Sequence, residues 1–443
     1  METSLARLPD EILHSILCYS PPRSAAALER TAGRFRSITN EPLLWRFYCQ
    51  THFKFWDKRH DFHNKLASPV SSVDWKKLYI TRHLIDTATT EVLESILASQ
   101  TGRIEKFHAI VSFGYDAKDT LIRHSLAGPE REDYLARSNA VLACLHRSIA
   151  VPQWAKLRNG EDISLEHALG AFDLFIPESG FGDLSDVTVR LDKIVAELIA
   201  ENPDIESLTP RGKALAVASY LRLNNLTGIE PGREYHSLEH NFLGIALSDP
   251  GHNSLPLISA AIYCYVSQSV GLNARPCGFP FHVHVIIMPP PGFDMDGHVL
   301  GNGSQGEPMY MDPFRSTSET PISDLQSQLN FLGASNVEQS TFLGESLASE
   351  IVLRCGKNIL NSIHQMSQLP TLRPTSIDVG GRHQSFYHVL VEDRSVRYVA
   401  EENIEIITPH ISELPSSFSM VAGKHFKRWD EQTRTFFAEL YTS

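Results

Sequence analysis

The feature that most constrains this chain is a change in the period of its apolar residues. Segments 82–98, 133–148, 187–201 and 210–223 repeat at helical spacing. In one of them Val187, Leu191, Ile194, Val195 and Leu198 cover a single face. From about residue 279 the period shortens to two, as in Phe279-Pro280-Phe281-His282-Val283-His284-Val285-Ile286-Ile287. A short strand at Met309-Tyr310-Met311, ending in Asp312, follows a Pro/Gly-rich loop at 289–308. A core built from this chain therefore places many helices before a few strands.

At 443 residues the chain is too long for one ordinary domain. Periodicity stops around 366–381, where Pro, Ser, Thr and Gly take over, and this stretch reads as a linker. Beyond it, 385–407 alternates as two strands about a polar turn. Hydrophobic content of 42% with 21% charged residues fits a soluble globular protein. The net charge of −12 argues against a dedicated nucleic-acid binder, which needs a basic face. The start, Met1-Glu2-Thr3-Ser4-Leu5-Ala6-Arg7, has no signal-peptide pattern, and no apolar run is long enough to span a membrane. Six scattered cysteines show no CxxC pair and no zinc-ligand spacing. The expected location is cytoplasmic and/or nuclear, not secreted, with no membrane contact.

Near the amino terminus Leu8-Pro9-Asp10-Glu11-Ile12-Leu13 opens a helix, because proline is tolerated in a first turn and the two acids complement the positive helix end. Ile12, Leu13, Ile16 and Leu17 make an apolar stripe, a second helix carries Ala25, Leu28 and Thr31, and a third segment carries Phe35, Ile38, Leu43, Leu44 and Trp45. Some forty residues cannot cover so many large apolar groups, so part of this surface is expected to dock a partner. The runs LPDEIL (8–13), GRFRSI (33–38) and PLLWRFYC (42–49) resemble an F-box, with Gly33 in place of the more usual cysteine. The resemblance implies that Leu8, Pro9, Ile12, Leu13, Ile16 and Trp45 form or support a surface for the Skp adaptor, and through it a cullin.

Three features further along could carry chemistry. A helix starts near Pro256, the alternating run places His282 and His284 on one strand face, and Asp312 ends the next strand. A nucleophile at the helix start, a histidine base and an orienting carboxylate would make a triad. The His-x-His spacing is more commonly structural, or an accidental likeness to a metal pattern, and no metal or other cofactor is expected. The stretches LEHALGAFDLFI (165–176), TPRGKALAVASYL (209–221), AIYCYVSQSVGL (261–272), GFPFH (278–282) and MYMDPF (309–314) resemble the SirB-type transglutaminase-like domain. That resemblance matches His282 and Asp312 to the family's histidine and aspartate. The nucleophile slot falls near Leu257 to Ser259, where there is no cysteine, so Ser259 is the one hydroxyl candidate and the site is expected to be degenerate.

The stretch 381–405 with HFKRWD at 425–430 resembles the YccV-like, hemimethylated-DNA-binding domain, without a counterpart to its first strands. Residues 382–443 hold 7 Lys+Arg against 9 Asp+Glu, which gives no electrostatic basis for holding phosphates.

The expected fold is multidomain, α + (α+β) + β: a helical F-box at 1–50, a helical extension at 51–160, a transglutaminase-like α+β domain at 161–345, a linker at 366–381 and a partial YccV-like β-barrel or sheet at 382–443. The expected function is that of a substrate receptor in a Skp–cullin–F-box ubiquitin ligase, a non-catalytic subunit that recruits a protein substrate. Two alternatives stand beside it: an active hydrolase or acyl-transferase using Ser259, His282 and Asp312, and a DNA-binding module.

Overall fold

The computed structural model describes residues 8–99, 101–125, 132–176, 183–233, 235, 237–301 and 304–368. Residues 366–368 of the expected linker at 366–381 belong to the helix Ala348–Gln368, and the rest of it, with the carboxy-terminal sheet, lies outside the described residues. The chain divides into two compact units, Met1–Ser148 and Ile149–Ser443.

The first unit is helical. It comprises α1 (Asp10–Cys18), α2 (Pro22–Leu28), α3 (Gly33–Thr39), α4 (Pro42–His52), α5 (Phe62–Ala67), α6 (Trp75–Ala98), α7 (Arg103–Ser112), α8 (Lys118–Ser125) and most of α9 (Glu132–Arg158). The expected third segment is in fact two helices. Glu41 precedes Pro42 and takes an extended conformation (φ −61°, ψ 129°), because the pyrrolidine ring disfavours a helical residue before it. Pro42 then restarts the helix at its first position.

The core of this module joins Leu13, Leu17, Phe35, Ile38, Leu44, Trp45 and Tyr48 with Trp75, Leu78 and Tyr79 from α6. Much of the apolar surplus of the first fifty residues is thus covered from within the chain. Tyr48 donates its hydroxyl to the Leu17 carbonyl at 2.7 Å, and Trp45 its indole N–H to the Thr39 carbonyl at 2.6 Å. Deeper in the unit, Arg82 is fully buried. Its guanidinium lies 2.8 Å from Asp119 and 3.3 Å from Asp116, which also takes His60 at 2.7 Å.

The second unit holds α10 (Leu165–Asp173), α11 (Leu184–Glu201), α12 (Pro210–Leu223), α13 (Leu243–Ser248), α14 (Pro256–Ser269), β1 (Asn273–Pro276), β2 (Val285–Met288), β3 (Met309–Met311), α15 (Ile322–Phe331), α16 (Asn336–Phe342) and α17 (Ala348–Gln368). The strands form one antiparallel sheet in the order β1-β2-β3. Its two faces serve two cores, as alternation requires. Ala274, Val285, Ile287, Met309 and Met311 pack with Leu257, Ile258 and Ile262 of α14. Ile286 and Tyr310 pack with Leu325, Leu329 and Phe342 of α15 and α16. The larger core also takes Ile351, Val352, Cys355 and Ile359 from α17, beyond residue 345. Among the described residues no helix is long and apolar enough to cross a membrane.

Candidate active site of the second unit

The site sits at one end of the small sheet, where β2 begins and β3 ends. Val285 pairs with Met311. The antiparallel register therefore sets His284, just before β2, across from Asp312, just after β3. His282 was expected on the strand with His284. Instead the strand starts at Val285, because the chain turns at Phe281 (φ 65°), where His282 N–H donates to the Pro280 carbonyl at 2.8 Å. This bond spans two residues and closes a γ-turn of the strained positive-φ kind. The turn leaves Phe281 75% exposed and tips His282 inward.

His282 Nε2 comes within 2.9 Å of Asp312 Oδ2. The ring N–H is not aimed at the oxygen, and this buried nitrogen makes no hydrogen bond. The contact is an ion-pair approach with the N–H poorly aligned. Asp312 Oδ1 accepts the Phe314 and Arg315 backbone N–H groups at 3.2 and 3.3 Å, an Asx-type turn that fixes the carboxylate. Burial acts to raise the Asp312 carboxyl, but His282, with help from the charges of His284 and Arg315, outweighs it and holds the group below its ordinary value. His284 donates Nδ1–H to the His282 carbonyl at 3.1 Å, and burial pushes its ring down to about 4. The Phe314 ring stands 5.7 Å from that of His282 in an edge-on arrangement and is itself backed by Tyr235.

Ser259 lies one turn into α14 and is fully buried. Its hydroxyl accepts the Gly228 N–H at 3.1 Å and shares a 2.7 Å bond with the Ser254 hydroxyl. These bonds fasten the entry of α14 to the loop at Gly228, and none of them reaches His282. The two nearby thiols offer no substitute. Cys264 is buried and its thiol is pushed far up by burial. Cys277 donates to the Phe342 carbonyl at 3.2 Å and is pushed up to about 12, again by burial. The structure thus brings His282, His284 and Asp312 together and leaves Ser259 in a structural network. Gly228, which meets Ser259, and Tyr235, which backs Phe314, had no local sequence signal, since they come from loops distant in the chain.

In the first unit, Ile12 and Ile16 of α1 are 48% and 42% exposed, and Leu43 at the start of α4 is also exposed. Leu13 and Trp45 are buried beneath them, Leu8 is half-buried and Pro9 is exposed.

Comparison with family models gives three matches along the chain. Residues 5–51 match the F-box-like model, residues 185–356 the transglutaminase-like superfamily, and residues 360–433 the model described as hemimethylated DNA-binding protein YccV like. The chain therefore carries an F-box-like domain, a transglutaminase-like domain and a YccV-like domain in that order. No curated protein and no solved structure matches it.

Proposed function

We propose that this chain is the substrate-receptor subunit of a Skp–cullin–F-box ubiquitin ligase. In this reading the F-box spans 1–50 and the helical extension 51–160. The transglutaminase-like domain at 161–345 and a YccV-like domain at 382–443 recruit the protein substrate, and 366–381 links them. The observation that carries the proposal is that Ile12 and Ile16, one turn apart on α1, and Leu43 on α4 stay exposed inside the F-box-like match although Leu13, Leu17 and Trp45 are buried. Exposed apolar groups on a well-packed support are what a protein interface uses. In this arrangement Ile12 and Ile16 contact the Skp adaptor, and Leu13 and Trp45 hold them in place.

The central domain acts as a binding module without turnover. A triad needs the nucleophile within hydrogen-bond reach of its base. Ser259 spends its hydroxyl on Gly228 and Ser254 instead. This occupancy supports the non-catalytic reading over the hydrolase alternative.

The test is co-purification of the Skp adaptor with the full chain carrying Ile12→Asp and Ile16→Asp. Both sites are partly exposed, so the fold should persist, while a charge forced into a desolvated contact costs several kcal/mol. Loss of the adaptor with an unchanged melting curve is the expected result. Full retention of the adaptor would rule the assignment out.

A further inference from the structure

We propose that His282, His284 and Asp312 form a three-ligand site for a divalent transition metal ion, zinc above all. One ligand atom from each residue lies within 4.8 Å of the other two, and all three residues are buried. Around tetrahedral zinc, ligand atoms about 2.0–2.1 Å from the ion stand about 3.3 Å from one another. Small side-chain rotations are enough to gather these three. The backbone already supplies the arrangement, since the pairing of Val285 with Met311 puts His284 and Asp312 opposite each other at the sheet end.

Each donor is prepared for a cation. The His284 Nδ1–H is committed to the His282 carbonyl, which leaves the lone pair on its other ring nitrogen. Asp312 Oδ1 is committed to two backbone N–H groups, which leaves Oδ2 turned to the histidines. His282 Nε2 is buried 2.9 Å from that oxygen and makes no aligned hydrogen bond to it, so an ion can take its place between them. A metal ion between them would satisfy both atoms. Arg315, 4.0 Å from Asp312 Oδ2, has a largely exposed side chain that can swing into solvent. Two imidazoles and a carboxylate suit zinc, and three protein ligands leave a fourth position for water. This site is separate from the adaptor-binding reading and reverses the sequence expectation that no metal is bound. A metal on His282 would also take away the lone pair that a general base needs.

The test uses untagged full-length protein stripped with a chelator and titrated with zinc chloride by calorimetry, with bound metal counted by elemental analysis. The expected result is one equivalent of zinc, with affinity reduced by at least about tenfold in His284→Ala and in Asp312→Asn. The chain has 20 histidines, so surface binding needs a control. His298→Ala, at an exposed histidine paired with Asp294 at 3.0 Å, should leave the titration unchanged. Should either variant fail to fold, wild-type protein loaded with cobalt decides the question. One equivalent giving visible d–d absorption, displaced by one equivalent of zinc, supports the site. Absence of that band overturns the proposal, as does zinc binding that is equally strong in wild-type and both folded variants.

Discussion

Two buried charged residues carry large and opposite consequences. Asp173, 1% exposed, accepts the Gly244 and Ile245 N–H groups at 2.9 and 3.1 Å and so caps the short helix α13. Burial nevertheless pushes its carboxyl up to about 7, since desolvation outweighs those two bonds. The folded chain then keeps a proton that the unfolded chain releases above about pH 4. The stability due to this group is complete below pH 4 and falls as pH rises through 7. Asp173→Asn cannot ionise and still offers an acceptor. Urea melts should show it removing a decline on the order of 4 kcal/mol between pH 4 and 7. Parallel pH curves for mutant and wild type would refute this. Arg82 is the reverse case, a buried cation within ion-pair distance of Asp86, Asp116 and Asp119. Arg82→Ala removes that shared guanidinium from the buried acids, and denaturation should register a loss of about 3–5 kcal/mol.

At the scale of elements, α1 presents two faces with separate duties. Leu13 and Leu17 pack against Tyr48 of α4, while Ile12 and Ile16 face outward. Leu13→Ala should therefore lower stability by about 2–5 kcal/mol, as measured by thermal or urea unfolding, while sparing adaptor binding in the molecules that remain folded. This is the inverse of the Ile12 and Ile16 variants, and a Leu13→Ala protein of wild-type stability would contradict the packing. The same core depends on Trp75, Leu78 and Tyr79 of α6, so the F-box-like segment shares its hydrophobic support with a helix beyond its end. In the second unit β2 plays a comparable double part, with Val285 and Ile287 in one core and Ile286 in the other. That double burial makes the sheet end a firm platform for His284 and Asp312.

For the whole molecule the governing quantity is charge. The net charge is −12, and the region 382–443, which contains most of the YccV-like match, is itself slightly acidic. Non-specific affinity for DNA comes mainly from counterions released when cations meet phosphates, and a surface without a cationic excess forgoes that term. Mobility-shift measurements at low salt should therefore show no binding to duplex DNA, hemimethylated or not. A salt-sensitive shift at micromolar protein would mean that this domain uses a local basic patch that the overall balance conceals.

Helix positions, the strand with its terminal Asp312 and the order of the three domains were legible in the sequence, because periodicity and short motifs are local properties of the chain. Val187, Leu191, Ile194 and Leu198 are buried on one face of α11, as their spacing predicts. The break at Pro42 is also written locally, in the proline itself. What only the tertiary structure decided concerns partners distant in the chain. Nothing near Ser259 announces that Gly228, 31 residues earlier, donates to its hydroxyl. Spacing likewise could not tell which residues of the α1 stripe are covered by α4, since burial depends on what packs against a face. The meeting of His284 with Asp312 depends on the pairing of Val285 with Met311, and that register is set by which faces of β2 and β3 each core buries.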